Sequence, residues 1–143
     1  RGIRGSRALL QMQKGFADSV LLNINLDMVG RNTKNELYAA GTTPYPFLRP
    51  YVEAAAARTS LTLLTGHDTP GTGSNDWSNA SDHGPFHAMK IPYLYFGEED
   101  HPDYHQASDE VGGIMPGFYM NAVRTIIDVI MQIDMKPFVR VTK

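Results

Sequence analysis

A chain of 143 residues with 42% hydrophobic content is long enough for one domain with a real core and too short for two comfortable ones. A formal charge of -2 and a pI near 6.2 supply no basic field for nucleic acid. The absence of cysteine excludes disulfides and thiolate metal sites, and no apolar run approaches the roughly 18 residues of a membrane span. Arg1 opens neither a signal peptide nor a transit peptide, and a sequence that starts in mid-pattern reads as cut from something longer.

In chain order, the region from about Ser6 to Phe16 carries Leu9, Leu10 and Met12 among polar residues and predicts a helix stopped at Gly15. Val20 to Val29 predicts a strand, with Leu22, Ile24, Leu26 and Met28 on one face and Asn23, Asn25 and Asp27 on the other. A polar face turned to water accounts for that alternation. Aspartate, however, has no apolar surface to pack in a strand and asks for a partner, and ligand sites in open α/β sheets gather beyond the carboxyl ends of strands. Glu36 to Ala40 predicts a second strand, hairpin-paired with the first across Arg31-Asn32-Thr33. Thr43-Pro44 opens a helix running to about Thr59, with Phe47, Leu48, Tyr51, Val52 and Ala55 on one stripe. Leu61 to Leu64 is a third strand.

Gly66 to Ala80 is dense in Gly, Asn, Asp, Ser and Pro, and predicts a surface loop or the rim of a cleft. Its Gly71-Thr72-Gly73-Ser74 run is no phosphate loop, having neither the Gly-Lys-Ser/Thr signature nor a strand leading into a helix. A short helix from Gly84 to Met89 leads to an apolar strand, Tyr93 to Phe96. Pro116 to Met135 is the clearest helix, with Met120, Val123, Ile126, Ile127, Ile130 and Ile133 as its expected core face.

The remaining chemistry lies between Gly97 and Glu110, where acids and histidines follow a buried strand. A solvated loop explains the composition. An extended backbone would instead aim the alternating His101, Asp103 and His105 one way as a metal trio, and Glu98, Glu99 or Asp100 offer further donors for a stray ion. His83 and His87 have i, i+4 spacing but lack the glutamate of the zinc-helix motif, and Pro85 lies between them. A capping or supporting role suits His83, and a surface position suits His87.

Three ordered segments then carry a resemblance: Asn25-Leu26-Asp27-Met28-Val29-Gly30, Ser81-Asp82-His83-Gly84-Pro85-Phe86, and Tyr104-His105-Gln106-Ala107-Ser108-Asp109. With Gly2-Ile3-Arg4-Gly5-Ser6 at the start, they resemble the C-terminal half of the M28 family of zinc exopeptidases. The resemblance covers nearly the whole chain, and the interval of about eighty residues between the Asp and the His adds to its specificity. It implies an α/β fold, part of a mixed β-sheet flanked by helices, with residues 1–143 forming the C-terminal portion of one peptidase domain. Asp27 resembles a terminal carboxylate ligand of one zinc ion, and His105 an imidazole ligand of its neighbour. Ser81, Asp82 and His83 resemble the substrate-side wall, although a helix cap explains Ser81 or Asp82 equally well. Asp109 is either a supporting acceptor or a cap, and Tyr104 either lines the pocket or packs.

The family's site also needs an upstream His, a bridging Asp and a Glu-Glu pair holding the general base, and the sequence begins just past the position of that pair. The expectation is therefore a portion of a zinc aminopeptidase acting on peptides, inactive alone, with zinc bound weakly and singly where the complete domain holds two ions. The lost half of the sheet would leave an open edge, which favours self-association. The alternatives within the same fold are a receptor-like interaction domain without catalysis and a glutaminyl cyclase type of zinc acyltransferase. Family resemblance also favours a secreted or periplasmic setting.

Overall fold

The computed structural model describes residues 3–12 and 15–138. Gly2 of the N-terminal motif and residues 13–14 of the expected first helix lie outside that range. The described elements are α1 (Arg4–Met12), α2 (Phe16–Ser19), β1 (Asn23–Leu26), β2 (Glu36–Ala40), α3 (Arg49–Ala56), β3 (Thr62–Thr65), α4 (Gly84–Ala88), β4 (Tyr93–Gly97) and α5 (Pro116–Met135). Short 3-10 turns lie at Pro46–Leu48, Gly73–Asn75 and Val111–Gly113. No described helix is long and apolar enough to cross a membrane.

The four strands form one mixed sheet in the order β1-β4-β2-β3. β1 runs parallel to β4, β2 parallel to β3, and β2 antiparallel to β4. The expected hairpin between the first two strands is therefore absent, because β4 inserts between them. All five residues of Tyr-Leu-Tyr-Phe-Gly in β4 are buried, which suits a strand with both faces covered by packed layers. β1 is shorter than the expected Val20 to Val29 strand, and β2 and β3 fall close to their expected positions.

Period-two alternation sorts the core into two layers. Leu94 and Phe96 of β4 join Leu37 and Ala39 of β2 in the main core with Val52 and Ala55 of α3 and Phe118, Ala122, Ile126 and Val129 of α5. Leu22 and Ile24 pack against the same cluster. Tyr93 and Tyr95 point to the opposite face, where they meet Ala40, Tyr45 and Trp77. A smaller cluster of Leu10, Phe86 and Ile91 fastens α1 to α4. Helix α5 has its expected bounds, but its buried face is rotated: Thr125 is buried, while Met120, Ile127 and Ile130 are exposed. Thr125 tolerates burial because its hydroxyl donates to the Asn121 carbonyl at 2.8 Å and lies 2.5 Å from the Thr59 hydroxyl. The expected helix from Pro44 to Thr59 is a 3-10 turn followed by the shorter α3, which leaves Phe47 exposed.

Candidate metal cleft

The cleft forms where β1 and β4 end side by side. The Asp27 N–H donates to the Phe96 carbonyl at 3.1 Å, continuing the parallel ladder one step beyond β1. A Cβ on Gly97 would stand 2.6 Å from the Tyr95 hydroxyl and 2.9 Å from the Asp27 carbonyl oxygen, so the close approach of the two strand exits requires glycine. Met28 then turns the chain away with φ 57°, a left-handed conformation that bulky residues seldom adopt. This geometry answers why an acid ends the strand: Asp27 is presented at the mouth of a cavity and is not buried in the sheet.

A row of polar groups on the Asn25 face holds Asp27. The Ser81 hydroxyl donates to Asp27 Oδ2 at 2.7 Å and accepts from Asn25 Nδ2 at 2.9 Å. Asn25 Nδ2 also lies 3.4 Å from His83 Nδ1, and His83 Nε2 lies 2.8 Å from the Trp77 carbonyl. A proton on Nε2 satisfies that carbonyl and leaves Nδ1 as an acceptor toward Asn25. His83 is fully buried, its ring between those of Tyr93 and Tyr95, and burial pulls its pKa down to about 4. It makes no side-chain cap at α4. Asp82 turns outward and accepts from the Ser6 hydroxyl at 2.6 Å, which ties α1 to the rim.

His105 reaches the cleft from the segment after β4. Its backbone has φ 58°, and its ring stacks on Tyr104 with centroids 3.9 Å apart. Asp27, Ser81, Asp82, Tyr104, His105 and Asp109 all line one cavity of about 480 Å³. His83 stands behind its wall, held to Asn25 as described. The metal trio does not form: the segment is a series of turns and not an extended strand. Arg31 Nη2 instead binds His101 Nδ1 and, at 2.6 Å, Asp103 Oδ2, while the Ser108 hydroxyl takes Asp103 Oδ1 at 2.7 Å. Those hydrogen bonds hold the Asp103 carboxyl below its ordinary range, first through Ser108 and then through Arg31. Asp109 Oδ1 lies 3.9 Å from Arg31 and 4.0 Å from His101, at the edge of the same network. His87 is half-buried rather than superficial, with Nδ1 2.9 Å from the Tyr45 hydroxyl.

Glu98, one of the acids offered as donors for a stray ion, differs from its neighbours in burial. Gly-Glu-Glu-Asp reads as a solvated loop, yet Glu98 is only 4% exposed, and burial pushes its carboxyl up to about 7 against the pull of Asn32 and Arg31. Asn25 was visible in the strand alternation, but its partners Ser81 and His83 come from a segment more than fifty residues away, and nothing local announces them.

The profile of peptidase family M28 matches residues 1–130. The chain belongs to that family. Among solved structures it is similar to BSAP, a zinc aminopeptidase from Bacillus subtilis, at 23% identity and a TM-score of 0.72, covering 92% of this chain and 32% of that one. An aminopeptidase from Aneurinibacillus sp. strain AM-1 matches at 23% identity and TM-score 0.71, with 92% and 30% covered. LapA aminopeptidase of Legionella pneumophila matches at 15% identity and TM-score 0.69, with 96% and 37% covered. These likenesses establish the fold, and the chain spans about a third of the length of the structures it matches. No curated protein sequence matches it.

In kind, the donors of the cleft suit zinc, which takes carboxylate oxygen and neutral imidazole nitrogen. Asp27 Oδ2 is engaged by Ser81, and Oδ1 accepts no side-chain hydrogen bond among the described residues. In number they fall short, because among the described residues no group of three or more His, Asp or Glu is gathered to hold a metal ion.

Proposed function

We propose that this chain is one portion of a zinc-dependent aminopeptidase that removes N-terminal residues from peptides, and that it contributes Asp27 and His105 to a two-zinc centre. The observation that carries this reading is that Asp27, His105 and Ser81, from three separate segments, line a single cavity in a chain of peptidase family M28. Asp27 and His105 would hold the metal, which supplies a Lewis acid for the scissile carbonyl. Ser81 keeps the Asp27 carboxylate oriented, and the ring of Tyr104 backs the His105 imidazole. Asp82, Asp109 and the buried His83 shape the wall around them.

Two ligands where zinc takes three or four give weak, single binding, and the chain by itself is inactive as a peptidase. Zinc titration by calorimetry is expected to show one weak, chelator-reversible site, lost in Asp27→Asn and in His105→Ala with the thermal melt preserved. Unchanged binding in either variant overturns the ligand assignment. Chelator-sensitive hydrolysis of leucine 4-nitroanilide by the isolated chain overturns the claim of inactivity.

A further inference from the structure

Asp27 and His105 are held in different ways. Asp27 is fixed by its ladder bond to β4 and by Ser81. His105 is exposed, its ring makes no hydrogen bond among the described residues, and its one ring contact there is the stack on Tyr104. Its direction is therefore set by the backbone that carries it. That backbone is two overlapping turns: the Tyr104 N–H donates to the His101 carbonyl at 2.9 Å, and the Gln106 N–H to the Asp103 carbonyl at 2.8 Å. His105 sits inside the second.

Arg31 grips the first residue of both turns. Its Nη2 meets His101 Nδ1 and donates to Asp103 Oδ2 at 2.6 Å, while the Ser108 hydroxyl closes the second turn on Asp103 Oδ1 at 2.7 Å. A guanidinium has only donors, so His101 meets it with the lone pair of Nδ1. Arg31 lies four residues beyond Asp27 in the sequence, and the segment after β4 comes back to the same point, where the Met115 N–H donates to the Gly30 carbonyl at 3.0 Å. Gly113 makes room there, because a Cβ on it would collide with Arg31 Nη1. The Arg31 side chain is 18% exposed. Half-open ion pairs of this kind add little stability, whereas a planar fork that bridges two acceptors fixes geometry.

We propose that Arg31 is a positioning residue: through His101 and Asp103 it fixes the turns that carry His105, and so holds that imidazole in the cleft it shares with Asp27. The role rests on the reading of His105 as a metal ligand, and the 143-residue chain tests the two separately. In the zinc-free chain, ring current from Tyr104 displaces the NMR resonances of the His105 ring. Arg31→Gln, and Asp103→Asn at a partly exposed carboxyl, should each move those resonances toward random-coil positions with the melt little changed. The Asn25 side-chain amide, which reports the Ser81 row, should stay in place. Zinc affinity measured by calorimetry should fall roughly tenfold in both variants. Arg31→Lys keeps the charge without the fork and should restore neither property. A lowered melt with the His105 resonances of the folded chain unmoved would make Arg31 a stabilising residue only and overturn the proposal. Full recovery in Arg31→Lys, or zinc binding by the parent that is equalled in both Arg31→Gln and Asp103→Asn, overturns it as well. A parent that binds no zinc, but whose His105 resonances move in the variants, removes the metal assignment and leaves the positioning standing.

Discussion

At the scale of single residues, the cleft shows how a short polar side chain orients a carboxylate. Ser81 both donates to Asp27 and accepts from Asn25, so its hydroxyl hydrogen has one good direction and the carboxylate one good orientation. Ser81→Ala removes both bonds without adding bulk. Hydrogen bonds that orient metal ligands are worth about 10–100-fold in metal affinity, and a loss within that range is expected in a chelator competition assay. A second residue-scale prediction concerns pH. His83 titrates at about 4 in the folded chain, below its ordinary 6.5, so between those values the unfolded chain binds the proton and the folded chain does not. Its contribution is therefore present above pH 6.5 and lost as pH falls toward 4, up to about 3 kcal/mol. Glu98 acts in the opposite sense: held near 7 against an ordinary 4.5, it lowers stability as pH rises through that window. Urea midpoints compared between parent and single variants separate the two, with His83→Gln losing the acid-side decline and Glu98→Gln losing the fall toward neutral pH.

At the scale of elements, α5 separates what a pattern reveals from what packing decides. Its bounds were legible because Pro116 opens it and apolar residues recur through Met135. The face was not, since isoleucine, valine and methionine are spread around too much of the circumference for periodicity to pick one side. The tie is broken by α3, whose Val52 and Ala55 pack in one cluster with Ala122, Ile126 and Val129. Ile126 is 2% exposed and Ile130 39%. Ile126→Ala should cost about 2–5 kcal/mol through lost contacts and a cavity. Ile130→Ala, expected from periodicity alone to cost the same, should change stability by less than about 1 kcal/mol. Denaturant melts showing equal losses would mean that the helix is rotated from the position described. The strands teach the same lesson. The existence of β2 and β4 could be read from composition, whereas their adjacency could not, because pairing a strand with one more than fifty residues away leaves no local trace. Likewise, alternation of His101, Asp103 and His105 suggested a trio only on the assumption of an extended backbone, and Arg31, which holds two of the three elsewhere, belongs to a distant segment.

At the scale of the whole molecule, the sheet ends on β1, a four-residue strand whose only neighbour among the described residues is β4. Its outer side has no strand partner among the described residues and is flanked by Leu21 at 58% and Leu26 at 47% exposure. An open edge of this kind is a template for another strand. The apolar side of α5 that periodicity assigned to the core adds Met120, Ile127 and Ile130 to the exposed surface. A second copy of the chain, bringing the same edge, is the partner always present in a purified sample, and two β1 strands can pair across a two-fold axis because an antiparallel ladder is self-complementary. Self-association is therefore expected, and sedimentation velocity should show the weight-average coefficient rising with concentration. Leu26→Lys places a charge at the half-exposed end of the edge strand, and should return the chain to a monomer. A parent chain that sediments as a monomer at every concentration would show that β1 is protected in solution, and a Leu26→Lys variant that still associates would move the contact from the strand edge to the face of α5.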